Sequence, residues 1–325
     1  MVRSPHVALL ALALAAPTAR GEAQATHITA ARIGALVHAL AHDSMRGRAT
    51  PSRELEQAAL YVASAFGAAG LRPAGDGATF VQRFPVRGDT TAPIVVGVLA
   101  GADPQLSREF VAVVAHMDHV GVRRGTGGDS IFNGADDNAS GTAGVVALAE
   151  AFAASPTRLR RSVLFLVTSG EERGVLGARW FVAHPPVPLT DIIALVNLDM
   201  IGRNRPDSVY LNGWGKSEVA TLVVRQASEH PELGLGVGPD LEDRPLTPVD
   251  SDHWPFQRRG IPYAFLYTGQ HADYHRAGDE PSRIDADKAA RIARLAYYAM
   301  EVLANAAERP RWDREARRLN VPDER

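Results

Sequence analysis

Two glutamates, Glu171 and Glu172, stand side by side in TSGEERGVLGARW, directly after an apolar run and a glycine. Adjacent carboxylates repel, and the plainest reason to place them here is the first turn of a solvated helix, whose dipole favours negative charge. Four other stretches supply a second reason. HMDHVG carries His116, Asp118 and His119; NGADDNASG carries Asp136 and Asp137; NLDMIG carries Asp199; and TGQHADYHRAGDE carries His271, Asp273, Tyr274, His275 and Asp279. Histidines accompanied by several carboxylates and no thiolate suit zinc, or a similar divalent ion such as cobalt or manganese. So many oxygen donors can hold two ions sharing one carboxylate, which together acidify a water and polarise a carbonyl. A general base must still take the proton of that water. Of two adjacent glutamates, one can then ligate while its neighbour accepts the proton, and the cations offset their mutual repulsion.

A fold must bring these side chains together. Residues 109–116, 162–169, 191–199 and 262–267 are short, nearly continuous apolar runs, the pattern of strands buried on both faces of a mainly parallel or mixed sheet. Residues 79–86 alternate like a strand, and 92–101 reads as another. Helical periodicity covers 28–43, 52–69, 138–155, 174–184, 216–229 and 285–308. Strands alternating with helices, without internal repeats or a linker, predict an α/β fold: a single three-layer α/β/α sandwich with a mixed, mainly parallel central sheet. In such sheets ligands bind beyond the carboxyl ends of the strands. Four of the predicted strands end there in His, Asp or Glu.

Composition bounds the remaining possibilities. Hydrophobic residues make up 46% of the 325, charged residues 22%, and the net charge is −2, which gives no argument for a nucleic-acid partner. All but two of the 35 basic residues are arginine, scattered rather than patched, and we read this as codon bias. The absence of cysteine excludes disulfides, thiolate metal sites and lipid attachment through cysteine. Arg3, the apolar run VALLALALAA and the small-residue site AQA predict a secretory signal peptide over 1–25, hence an exported, periplasmic or secreted protein without a membrane anchor. The folded domain is expected over 26–325, followed near its end by a surface helix in the arginine-rich tail. A monomer is expected.

The five motifs AHMDHVG, NGADDNASG, SGEERGVLG, NLDMIGR and ADYHRAGDE, in that order, resemble those of metallopeptidase family 28. This is a family of two-zinc aminopeptidases with glutamate-carboxypeptidase-like members. The resemblance spans roughly residues 30–305 and implies a zinc-exopeptidase fold with two Zn2+ per chain. It places His116 and Asp199 on one ion, Glu172 and His275 on the other, and Asp137 between them. Glu171 would be the general base. Asp118 would orient His116 through its second ring nitrogen, and Tyr274 would help stabilise an oxyanion. A cis peptide after the bridging aspartate is implied at Asp137–Asn138. His119 is read as a structural residue or one that supports a ligand. Asp252 and His253 are possible pocket residues, or parts of a loop packed around Trp254. Arg46 and Arg48 fall in an arginine-glycine loop that looks structural. The 76 positions between Asp199 and His275 are too few for the dimerisation domain of a related exopeptidase family, and no protease-associated domain fits between 70 and 110. The implied activity is removal of N-terminal residues from peptides with a free N-terminus. Alternatives are a carboxypeptidase or dipeptidase of the same family, a glutaminyl-cyclase-like enzyme, or a non-catalytic binding module. A carboxypeptidase acting on acidic residues would need substrate-facing arginines such as Arg203 or Arg205.

Overall fold

A computed structural model describes residues 24–123, 128–239 and 251–312. The predicted signal peptide, apart from Gln24 and Ala25, and the predicted tail helix beyond Trp312 lie outside the described residues. Eleven strands are described: β1 Arg72–Pro73, β2 Val81–Arg87, β3 Thr90–Leu99, β4 Phe110–His116, β5 Gly121–Val122, β6 Ile131–Phe132, β7 Ser162–Thr168, β8 Ile192–Leu198, β9 Ser208–Asn212, β10 Gly236–Pro239 and β11 Tyr263–Tyr267. The α-helices are α1 Ala30–Leu40, α2 Arg53–Ala68, α3 Gly141–Ala153, α4 Leu176–Ala183, α5 Glu218–Glu229, α6 His253–Gln257 and α7 Ala286–Asn305.

Nine strands form one sheet in the order β1-β3-β7-β4-β8-β11-β9-β10, with β2 paired to β3; β5 and β6 form a separate hairpin. Its centre, β7-β4-β8-β11, is parallel, whereas β1, β2, β3 and β9 pair antiparallel to their inner neighbours. Every residue of β4, β7 and β8 is buried, the reason their sequences are unbroken apolar runs. Helices α1, α2, α3, α5 and α7 pack with one another on one face, and α4 and α6 pack together on the other. The sandwich expected from the sequence is therefore the fold found. α3 is buried on nearly all sides, which suits its run of Ala, Val and Leu.

Helix starts follow local chemistry. The side chains of Thr29, Ser52, Ser217 and Asp285 accept hydrogen bonds from first-turn backbone N–H groups of α1, α2, α5 and α7. Strands β9 and β10 have no counterpart in the sequence reading. β9 is five residues long and only partly buried, and β10 lies on an exposed sheet edge, so neither carries a clear apolar pattern. Among the described residues no helix is long and apolar enough to cross a membrane.

The register matters most for function. His116 pairs with Thr168, Val114 with Asn197, and Leu198 with Leu266. The ends of four parallel strands therefore form one rim.

Candidate metal centre and active site

Each candidate side chain reaches the rim by a short route. His116 is the last residue of β4 and Asp199 directly follows β8. After β7, Gly170 adopts a left-handed conformation (φ 75°) that starts a tight turn over Glu171–Arg173. This is one turn of 3-10 helix ahead of α4, not the solvated start of a longer helix. Asp137 comes from the turn before α3, where the Asp137–Asn138 peptide is cis. Asn138 ties this turn to the rim by donating to the Leu198 carbonyl and accepting from Gly141 and Met200 N–H. His275 arrives on the loop after β11 with φ 52°.

Two groups of donor atoms result, and within each group the atoms lie within 4.8 Å of one another: His116, Asp137 and Asp199 in one, His119, Asp137, Glu172 and His275 in the other. Asp137 is common to both. His116 Nε2 is 3.5 Å from Asp137 Oδ1 and 3.4 Å from Asp199 Oδ1. His275 Nε2 is 3.1 Å from Asp137 Oδ2 and 3.0 Å from Glu172 Oε2. His116 Nε2, Glu172 Oε1 and Asp199 Oδ1 are buried and have no hydrogen-bond partner. Buried polar atoms seldom go unpaired, and a convergent set of them, rich in carboxylate and imidazole, fits divalent cations. Glu171 belongs to neither group; its Oε2 is 3.9 Å from His116 Nε2.

A layer behind the donors holds them. The His116 Nδ1 contact at hydrogen-bond distance is the backbone carbonyl of Asp118, 3.1 Å away, whereas the Asp118 carboxylate is at 3.6 Å. That carboxylate instead accepts from the Thr50 hydroxyl and the Glu171 N–H, so Asp118 positions the base as well as the histidine. Asp136, beside Asp137 in sequence, turns away and accepts from Gly202 N–H. Asp279 receives the N–H groups of both Asp136 and Asp137. Ser251, which the sequence does not single out, donates to Asp199 Oδ2 at 2.7 Å and accepts from Asn197. Arg48 is fully buried and donates to four backbone carbonyls, those of Leu40, Met117, Asn133 and Gly134. It thus clamps the loop after β4 to the turn bearing Asp137.

Other candidates take different places. His271 Nε2 lies 3.4 Å from Asp136 Oδ2 without a hydrogen bond on either ring nitrogen, and it joins neither donor group. His253 is buried between the rings of Tyr263 and Phe265, and burial lowers its pKa to about 3. Asp252 is buried and accepts from Thr168, its pKa pushed up to about 7 by burial. The Tyr274 ring stacks on His275 at 3.9 Å, and burial together with the nearby carboxylates pushes its phenol above the usual range. Arg203 is held by Asp273 and Arg205 by Asp207.

The charge state follows from this packing. Burial raises Glu171 well above the usual carboxylate range; Asp199 and Asp252 add to the rise and His116 opposes it. For His116 burial alone would lower the pKa, but the Asp199 and Glu171 carboxylates lift it well above its ordinary value. His275 is likewise lifted, against burial, to about 9 by Asp137 and Glu172. His275 therefore carries its second proton at pH 7 in the metal-free centre, and ligation must expel it. Zinc titrated into metal-free protein at pH 7 should release protons, and its apparent affinity should fall on acidification. Calorimetry in two buffers of different ionisation enthalpy counts the protons; equal heats in both would contradict the charged imidazole of His275.

Comparison with known proteins identifies the family and the fold. The sequence profile described as Peptidase family M28 matches residues 95–300. Leupeptin-inactivating enzyme 1 of Streptomyces exfoliatus is 28% identical over 182 residues, 54% of this chain and 39% of that protein. The chain thus spans less than half the length of the curated relatives it matches. The crystal structure of the LapA aminopeptidase of Legionella pneumophila superposes with a TM-score of 0.73 at 19% identity, covering 95% of this chain and 77% of that one. A zinc aminopeptidase from Bacillus subtilis gives 0.67 at 16% identity (86% and 96% covered), and the Porphyromonas gingivalis glutaminyl cyclase 0.66 at 16% (84% and 97%). At these identities the structural likenesses speak for the fold. With the profile covering well over half of the sequence, the resemblance carried by the five motifs is shown: the chain belongs to Peptidase family M28, a family of zinc-dependent peptidases.

Proposed function

We propose that this protein is an exported, zinc-dependent aminopeptidase that removes N-terminal residues from peptides. The observation that carries this reading is the position of Glu171: largely buried, outside both donor groups, and 3.9 Å from His116 Nε2. Two divalent ions held by His116, Asp199, Glu172 and His275 with Asp137 shared would supply Lewis acidity to a carbonyl and acidity to a water. Glu171 takes the proton of the attacking water and delivers it to the leaving amine. Asp118 fixes the Glu171 backbone, Tyr274 is the donor we assign to the oxygen that gains charge, and the carboxylates of Glu171 and Asp199 offer a partner to a substrate ammonium. Export is supported by the signal-peptide pattern of the first 25 residues.

The alternatives fare less well. An acid-directed carboxypeptidase needs a free cation near the centre, but Arg203 and Arg205 are already held by aspartates. A binding module has no use for a buried base beside two donor groups. A glutaminyl cyclase shares the fold, so activity must decide. Purified protein should hydrolyse some member of an aminoacyl-p-nitroanilide panel, lose that activity to a chelator and regain it with zinc. A flat panel from folded, zinc-loaded protein, with cyclisation of an N-terminal glutamine in its place, would overturn the aminopeptidase reading.

A further inference from the structure

His119 follows the HMD motif and nothing in its sequence context marks it as a ligand. In the fold it is 1% exposed and neither ring nitrogen has a hydrogen-bond partner. A buried neutral imidazole ordinarily donates through one nitrogen and accepts at the other, so a ring with both unpaired must be accounted for. Its Nδ1 lies 2.8 Å from Glu172 Oε1 and 3.6 Å from Asp137 Oδ2, the first contact lacking the alignment of a hydrogen bond. Here the two atoms also share one donor group with Asp137 and His275, all within 4.8 Å of one another, the spacing of neighbours around a common cation.

The ring is also held in place. Gly134 sits at φ 60°, and a Cβ there would stand 2.4 Å from His119 Cγ, so the turn that delivers Asp137 has been left bare where the imidazole packs. His275 meets the ring edge-on, with centroids 5.4 Å apart and planes at 75°. Arg48, which clamps both loops, offers its own backbone carbonyl to the His119 N–H at 3.4 Å.

We infer that His119 is a protein ligand, through Nδ1, to the ion held by Asp137, Glu172 and His275, which makes the two halves of the centre unequal. Four protein donors, two nitrogens and two oxygens, are the number that fills the shell zinc prefers in a closed site, whereas three leave a position for water or substrate. The His119 half is then the tightly held, orienting half. The half made by His116, Asp137 and Asp199, with Glu171 beside it, is the one that admits substrate and exchanges its ion more readily.

This inference rests on the metal-centre reading above, and the test separates the two. Competition titrations with a zinc chelator should show two unequal affinities for the unmodified protein. In His119→Ala and His119→Asn the tighter step should weaken by more than about 100-fold, beyond the 10–100-fold typical of losing a residue that only supports a ligand. The weaker step should change little. A change in the tighter step below about tenfold overturns the assignment. Should the variants fail to fold, the unmodified protein loaded with cadmium-113 decides by NMR. Scalar coupling from one cadmium to ring protons of both His119 and His275, and from the other to His116, is the expected result. Coupling to His116 and His275 without His119 sinks this inference alone; coupling to no histidine sinks the metal-centre reading with it.

Discussion

Glu171→Gln is expected to lose about 10²–10⁴-fold in kcat, roughly 3–5 kcal/mol of barrier, while binding as much zinc as the unmodified protein. Glutamine keeps the shape of the side chain and its backbone link to Asp118 but cannot accept a proton. Because Glu171 is in neither donor group, its replacement removes no ligand. It also removes one of the carboxylates that lift the His116 pKa, so the free histidine should titrate lower in the variant. Metal content by mass spectrometry and turnover on the best substrate from the p-nitroanilide panel check both halves of the claim. A variant with near-normal turnover would remove Glu171 from the proton relay. One that lost zinc in step with activity would instead make it a ligand.

The second large effect is expected at a residue that touches no substrate. Arg48→Met should destabilise the fold by about 4 kcal/mol or more, because four buried carbonyls lose their charged donor at once, only that of Gly134 keeping a second partner in the Ala139 N–H, and each unmet group costs on the order of 1–3 kcal/mol. A typical domain has only about 5–15 kcal/mol in total. The guanidinium stays charged where it is: burial lowers its pKa to about 10, with Asp118, Asp279, Asp137 and Glu172 opposing the fall. It therefore also places one fixed positive charge behind a cluster of carboxylates, and Arg48→Met should leave the metal-free protein the more damaged form. At roughly 2–4 °C per kcal/mol for a domain of about 150–250 residues, the melting temperature of the metal-free protein should fall by about 10 °C, with zinc restoring part of the loss. Arg48→Lys, which can place one ammonium but not a fork of donors, should recover only a fraction. A metal-free Arg48→Met protein that melts within about 2 °C of the unmodified one would show that the two loops hold together without the clamp.

Most of the candidate donor set could be read from the chain because of where its residues fall. His116, Glu171, Glu172 and Asp199 each end or closely follow a fully apolar run, and in a parallel sheet such ends share one rim. His275 and Asp137 needed the family motifs, since each stands on a loop whose path no local pattern reveals; Asp136 and His271 have the same residue types nearby and go elsewhere. The strands β4, β7, β8 and β11 and all the long helices were legible from periodicity, to within a few residues at their ends. β9 and β10 were not, because a short, partly exposed strand is recognised only by the neighbour it pairs with.

His119, Arg48 and Ser251 mark the boundary more sharply. His119 sits two residues from the end of a motif whose other members are well explained, and reads as structural until its unpaired nitrogens are seen beside Glu172. Arg48 reads only as part of an arginine-glycine loop that looks structural; its four acceptors lie up to 86 residues away in the chain. Ser251 reaches Asp199 across 52 residues. The sequence by itself determined the α/β sandwich and the edge of the sheet that bears the candidate donors; which glutamate of the pair is the base came only through the family motifs. Only the tertiary structure decided how many side chains converge on each half of the centre and what holds them there. The physical reason is that strand and helix patterns are set by burial along a few consecutive residues, whereas a donor set is defined by distances of a few ångströms between loops, and those distances exist only after the sheet and its helices have packed.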